Sequence, residues 1–343
     1  MIAAAVIVTY SMDFDTRLKR TRIAIVVILS ALLLAVLGFY LYIHSLLGLV
    51  QHTEPAGPKQ ETTEEDSFKY ADKDVMRDED TQNILLIGQD RREGEERQRS
   101  DSMIICSINK KTGKITLVSL MRDMYVRIPG YQSHRINTSY SLGGMELLDE
   151  TIEENFGVHI DGNVEIDFEG FIKAMTKVGK LDIHLTQDEA EYINDELGYG
   201  KLKGGMNSMD AKQVLMYART RYVGDGDYER TERQRKVLTT AFDKLRKSSL
   251  PTIVRVAKGV IPYFTTDLTN RELLGYVYTV LQDDIKINRT TYRLPVDGAF
   301  SSQNINGMAV LVPDLEQNKK YLIEYLYGPE ATEESAEESA VTP

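Results

Sequence analysis

The chain has one cysteine in 343 residues, five histidines and no excess of positive charge. Each shortage removes a class of function. A single thiol cannot close an internal disulfide, and no Cys/His group has the spacing of zinc ligands. Cys106, inside MIICSI, reads as an ordinary strand residue turned to the interior. His134, His159 and His184 are scattered and read as structural or exposed groups rather than ligands. With 41 Lys+Arg against 52 Asp+Glu the formal charge is −11, which argues against a protein built to coat nucleic acid non-specifically. The chain also lacks Gly-x-x-x-x-Gly-Lys-Ser/Thr, Gly-x-Gly-x-x-Gly and Gly-x-Ser-x-Gly, the phosphate-loop, dinucleotide and nucleophile-elbow patterns, and it has no internal repeat.

What is present is a composition near the soluble average, 42% apolar and 27% charged, so a core of real size can form. Residues 23–43 contain no charge, and these 21 residues match the roughly 20 needed to cross a bilayer. Arg17, Lys19, Arg20 and Arg22 precede the stretch, while no Lys or Arg follows until Lys59. That asymmetry keeps the N-terminus in the cytoplasm and the rest outside. No cleavage signature follows, so the segment reads as an uncleaved anchor. Residues 1–10 are apolar but too short to span, and Met12 is an alternative start.

Five segments follow: a short cytoplasmic segment 1–22, a transmembrane helix 23–43, an acidic extracytoplasmic stalk 44–81, a globular domain 82–328, and a disordered acidic tail 329–343. The globular domain alternates short apolar runs with helical patterns, the signature of an α/β fold. The run 84–87 is apolar on both faces, as a central strand covered by helices on both sides should be. Runs 103–108 and 115–120 flank a turn and read as a hairpin. Run 124–128 is a further candidate strand, followed by 181–185, 291–294 and 308–312. Helices are expected at 145–156, 168–178, 187–197, 209–218, 229–247 and 315–327.

Three groups could carry chemistry. Asp90 follows the strand 84–87 and Asp101 precedes the next, so both stand at one loop end if these strands are neighbours. Two carboxylates with phosphate oxygens make a Mg²⁺ site; alternatively each acid caps a turn. Five arginines, Arg219, Arg221, Arg230, Arg233 and Arg235, occur with no lysine among them, and a forked guanidinium suits phosphate. On the helix expected at 229–247, Arg230, Arg233 and Gln234 extend the apolar stripe of Val237, Leu238, Ala241, Phe242 and Leu245. They therefore point inward, to bind an anion or to pair with Asp227 or Glu229. The third group is Arg122-Asp123 at a strand end, extended by Arg92 near Asp90 and Arg99 near Asp101.

In combination the motifs resemble the LytR-CpsA-Psr family of bacterial envelopes. They are NILLIGQDRR at 83–92, RSDS at 99–102, LVSLMRDMYV at 117–126, RINTSY at 135–140 before Gly143-Gly144, TIEENFG at 151–157, DFEGF at 167–171, YARTR at 217–221 and DYERTERQ at 227–234. The resemblance implies a three-layer α/β/α domain with a central mixed sheet and a hydrophobic tunnel for a polyprenyl chain. It implies a phosphotransferase that moves a glycopolymer, such as teichoic acid or capsular polysaccharide, from an undecaprenyl-pyrophosphate carrier to the C6 hydroxyl of peptidoglycan N-acetylmuramic acid. In that reading Asp90 and Asp101 hold Mg²⁺, with Mn²⁺ a substitute, and Arg122, Arg219, Arg221 and Arg230 clamp the pyrophosphate. Arg99, Asp227, Arg233 and Gln234 match positions in or beside the site, with Arg92 and Asp123 as further substrate contacts and Asp227 a candidate base. Met121 departs from the proline of many members, and Val178-Gly179-Lys180 replaces a frequent Gly-Gly pair. The rivals are a polyprenyl-pyrophosphate hydrolase and a non-catalytic lipid-precursor-binding regulator. A DNA-binding role is disfavoured, because about 22 cytoplasmic residues leave no room for a helix-turn-helix.

Overall fold

The structure, a computed structural model, describes residues 45, 47–53, 75–89, 99–281, 286–288, 290–329 and 331. Asp90, Arg92, the expected membrane span 23–43, most of the stalk and nearly all of the tail lie outside the described residues. No helix among the described residues is long and apolar enough to cross a membrane. The chain divides into two compact units, Met1–Leu49 and Val50–Pro343, and the second holds the fold.

In chain order the strands are β1 (Gln51–His52), β2 (Thr81–Gln89), β3 (Ser100–Asn109), β4 (Lys114–Leu120), β5 (Tyr125–Val126), β6 (His134–Arg135) and β7 (Gly162–Asp167). They continue with β8 (Leu181–Leu185), β9 (Gly205–Met209), β10 (Thr265–Thr266), β11 (Lys286–Ile287), β12 (Tyr292–Leu294), β13 (Phe300–Ile305) and β14 (Met308–Pro313). The helices are α1 (Asn137–Phe156), α2 (Phe168–Val178), α3 (Gln187–Leu197), α4 (Ala211–Arg219) and α5 (Asp227–Arg246). Then come α6 (Leu250–Val260), α7 (Asn270–Leu281) and α8 (Leu315–Tyr327).

One sheet runs β1-β10-β7-β2-β3-β4-β11, with β12 also on β4. It is mixed, as expected: β2–β3 and β3–β4 pair antiparallel, while β2–β7 and β4–β12 are parallel. The double-sided apolarity of β2 has its cause here. Leu85 and Ile87 pack with Leu148, Ile152, Leu322 and Leu326 of α1 and α8. Ile84 and Leu86 face the other way, toward Leu238 and Phe242 of α5 and Leu273 of α7. A third cluster joins the antiparallel β8–β9 pair to α2, α3, α4 and α5. Cys106 sits in β3, where burial pushes its thiol up to about 12, far from reactive.

Several bounds differ from those the sequence pattern gives, for local reasons. Helix α1 starts at Asn137 rather than 145 because its first turns are polar, and Gly144 interrupts it at φ 71°. Only Tyr125–Val126 of the run 124–128 is a strand. The pattern missed β7 because Asn163 and Glu165, which alternate along it, are polar yet buried. Glu165 is held there by the Gln89 amide and the Tyr140 hydroxyl.

Candidate active site

The segment Met121-Arg122-Asp123-Met124 leaves β4 with its outer members anchored and its inner pair free to reach. Met121 and Met124 are buried in the cluster under α1 and α8. The Met121 N–H donates to Leu294 O at 2.9 Å, a bond a proline there could not make. Arg122 and Asp123 therefore project from a fixed turn, and Arg122 keeps 20% side-chain exposure.

Arg122 Nη1 lies 2.7 Å from Asp101 Oδ1, its Nε 3.4 Å from Asp123 Oδ2 and its Nη2 3.8 Å from Asp227 Oδ2. Arg221 joins the same acids, with Nη2 3.8 Å from Asp101 Oδ1 and Nε 3.3 Å from Asp227 Oδ1. Arg230 Nη1 is 3.0 Å from Asp227 Oδ1, and Arg135 Nε is 3.2 Å from Asp123 Oδ1. The result is a lattice of four guanidiniums around three carboxylates. Asp227 stands in the first turn of α5, where the helix dipole favours an acid, and Arg230 follows one turn later.

The lattice is paired by charge but not fully hydrogen-bonded: the acceptor Asp227 Oδ1 and the donor Arg135 Nε are buried without a hydrogen-bond partner among the described residues. Arg230 Nε is buried and has no hydrogen-bond partner among the described residues. Burial pulls the pKa of Arg230 down to about 10, with Asp227 opposing and the charges of Arg221 and Arg122 assisting. It remains a cation at neutral pH, held at a cost that an incoming anion would offset. For Arg122, burial works against the charge, but the Asp101 hydrogen bond and the fields of Asp123, Asp227 and Asp101 leave its pKa above the usual value.

Asp101 sits at an irregularity of the sheet: Gly88 pairs with Ser102 and Gln89 with Ser100, so Asp101 is the extra residue on β3. Asp90 and Arg92 lie outside the described residues, though Gln89, the neighbour of Asp90, pairs one position from Asp101. Among the described residues no group of three or more His, Cys, Asp or Glu could hold a metal ion. A hard divalent ion held by one or two carboxylates would therefore draw the rest of its shell from substrate oxygens and water.

Three of the expected contacts are held by other groups of the protein. Arg233 belongs to a separate network. Its Nε donates to Glu189 at 2.7 Å, Nη1 to Thr220 O at 3.0 Å, and Nη2 to Val223 O at 2.9 Å and Glu229 at 2.5 Å. Those carbonyls belong to the 220–226 loop, so Arg233 fixes the segment that carries Arg221. The same loop needs Gly224, whose φ is +73° and whose added Cβ would fall 2.0 Å from Glu229 Oε2. Gln234 accepts from Ser102 Oγ at 3.0 Å and so ties α5 to β3 beside Asp101. Asp123 bridges two arginines and orients them.

Arg219 stacks its guanidinium on Phe168, 4.0 Å from the ring centroid. Arg99 is exposed. Burial, then the charges of Arg99 and Arg135, lower the pKa of His134. Arg135 was legible only as part of the RINTSY block and not as a site residue; its backbone place on β6 opposite Tyr125 brings it to Asp123. Arg235, also buried, turns to the sheet and donates to Ser119 Oγ at 2.6 Å.

A mixed sheet with an arginine-rich lattice at the end of its central strands defines the α/β class of this domain. The chain matches the model of the LytR_cpsA_psr family over residues 45–324 and belongs to that family. It is 30% identical over 251 residues to "Regulatory protein MsrR" of Staphylococcus aureus, covering 71% of this chain and 73% of that one. It is 33% identical over 226 residues to "Polyisoprenyl-teichoic acid--peptidoglycan teichoic acid transferase TagU" of Oceanobacillus iheyensis, covering 63% and 67%. The fold is that of Bacillus subtilis TagT with bound octaprenyl pyrophosphate lipid, at TM-score 0.57 and 21% identity, covering 80% of this chain and 99% of that one.

Proposed function

We propose that this protein is a membrane-anchored, extracytoplasmic phosphotransferase that moves a glycopolymer from a polyprenyl-pyrophosphate carrier to a peptidoglycan hydroxyl, the C6 hydroxyl of N-acetylmuramic acid. The observation that carries the reading is the unsaturated lattice: four guanidiniums against three carboxylates, with a buried donor to spare. The similarity to TagU, a polyisoprenyl-teichoic acid--peptidoglycan teichoic acid transferase, and to TagT with bound octaprenyl pyrophosphate lipid supports it. Residues 23–43 are the anchor, and the N-terminus is cytoplasmic.

In the reaction the acceptor hydroxyl oxygen attacks the sugar-side phosphorus. The bond from that phosphorus to the bridging oxygen breaks, and polyprenyl phosphate leaves with the electron pair. Charge builds on the phosphate oxygens and the departing group. Arg122, Arg221 and Arg230, already fixed by Asp101 and Asp227, meet it without reorganising. Arg219 and Arg99 add charge at the rim. Asp227 or the exposed Asp225 accepts the hydroxyl proton. Mg²⁺ on Asp90 and Asp101 would neutralise phosphate charge.

The test is a reconstitution of residues 51–343 with a short undecaprenyl-pyrophosphate glycan and peptidoglycan oligosaccharides, with and without Mg²⁺, read by mass spectrometry. A glycan-phosphate-muropeptide adduct is expected. Release of undecaprenyl phosphate without an adduct would make the protein a hydrolase, and no release from any donor would refute the reading.

A further inference from the structure

Beside the lattice lies an open cleft of 380 Å³, in the size range of small-molecule sites. Its two walls differ in kind. One carries Arg122, Arg135 and Asp227; the other is the β13–β14 hairpin, lined at Ser302 and Gln303, successive residues whose side chains turn to opposite faces of the strand, the Gln303 amide donating to Ser301 Oγ at 2.9 Å. Residues 298–313 contain no Lys, Arg, Asp or Glu in a chain that is 27% charged. Residues 301–304, Ser-Ser-Gln-Asn, are all exposed. A wall made to hold phosphate would carry cations. This one offers hydroxyls and carboxamides, which both donate and accept, as sugar hydroxyls and N-acetyl groups do.

The wall is also rigidly keyed to the lattice. Leu311 N donates to Asp123 O at 3.0 Å, and Arg135 Nη2 donates to Ala309 O at 2.7 Å. Tyr228 lines the cleft between the two walls. Its ring is held by the Arg293 guanidinium at 4.3 Å and by Phe300 at 6.3 Å between centroids. Among the described residues β13 pairs only with β14, so its outer edge is unpaired. A polymeric substrate cannot be enclosed and needs such an open wall.

We propose that this cleft binds a hexosamine ring of the acceptor glycan, with the uncharged hairpin wall at Ser302 and Gln303 reading its hydroxyl and N-acetyl groups against Tyr228. The cleft thereby delivers the hydroxyl to the arginine lattice. This rests on the transfer reading above and adds to it the place and chemistry of acceptor recognition.

The experiment compares wild type with a Ser302→Ala/Gln303→Ala double variant, whose changes are both exposed and leave the core untouched. The probe is a tetrasaccharide of alternating N-acetylglucosamine and N-acetylmuramic acid. Its binding is followed by saturation-transfer NMR without donor, and its KM in transfer is followed with the undecaprenyl-pyrophosphate glycan. Loss of two hydrogen bonds should raise the acceptor KM and weaken binding about tenfold. Acceptor-independent release of undecaprenyl phosphate should stay within about twofold, since the lattice is intact. Unchanged tetrasaccharide binding would overturn the proposal. So would a rise in donor KM alone, because the cleft would then hold the donor's sugar. Wild-type protein that binds the tetrasaccharide but turns over no donor would keep the cleft as a glycan site and remove the transfer reading instead.

Discussion

Arg230 and Arg233 stand one turn apart on α5 and are equally buried, each at 3% exposure, yet they serve opposite ends. Arg233 finds two carboxylates and two carbonyls and has donors bonded on all three nitrogens. Among the described residues Arg230 pairs with a single acid, which it shares with Arg221 and Arg122, and its buried Nε–H has no partner. A buried guanidinium with its partners complete is structure. One with partners in deficit is a site waiting for an anion. The difference lies not in burial or residue type but in the local count of acceptors.

The comparison can be broken first at the lattice. Arg122→Ala or Arg221→Ala should lower polyprenyl-phosphate release by about 10²–10³-fold, the loss typical of one preorganised charge-stabilising donor, with the thermal midpoint nearly unchanged. Steady-state kinetics beside a melting curve checks this. An equal loss of stability would erase the contrast.

The converse holds at the saturated site. Arg233→Ala strands Glu189, itself 6% exposed, and should cost about 3–5 kcal/mol. That corresponds to a thermal midpoint lower by roughly 10 °C. Glu189→Ala should cost a similar amount, and the double variant less than the sum, as denaturant titration of the cycle would show.

A smaller effect sharpens the link between the two networks. Gly224→Ala forces a side chain at positive φ against Glu229 and should cost about 1–3 kcal/mol. Because the loop carries Arg221, the donor KM should rise in the same variant.

The smallest effect is one of pH. The unfolded chain protonates His134 near its ordinary value, whereas the folded chain resists because burial, Arg99 and Arg135 lower the pKa. Stability is thus full above the unfolded value and declines as pH falls through it toward the folded one. Wild type should lose more thermal midpoint between pH 7.5 and 5.5 than His134→Gln.

Much of this was legible in the sequence wherever a local cause sufficed. Helices 168–178, 187–197 and 315–327 match α2, α3 and α8 because Asp167, Thr186 and Asp314 cap their starts with side-chain bonds. The inward turn of Arg230 and Arg233 followed from the apolar stripe they extend, and both are buried. Of the two outcomes weighed for that stripe, internal pairing is what the structure shows, Arg233 with Glu189 and Glu229 and Arg230 with Asp227; the anion site is the proposal made above. What stayed hidden depends on distant acceptors. No spacing shows that Glu189, on another helix, pairs with Arg233. None shows that β5–β6 pairing brings Arg135 to Asp123. Strand β7 was missed because its buried polar residues are satisfied only across the sheet and by α1.

The most direct measurement is a calorimetric titration of a short-chain polyprenyl pyrophosphate into wild type and Arg122→Ala, with folding checked by near-UV circular dichroism. An unsaturated lattice predicts binding to wild type and a loss of about tenfold or more in the folded variant. Equal affinity in the two proteins would mean that the lattice is an internal ion-pair network like that of Arg233, and the account of the site would be wrong.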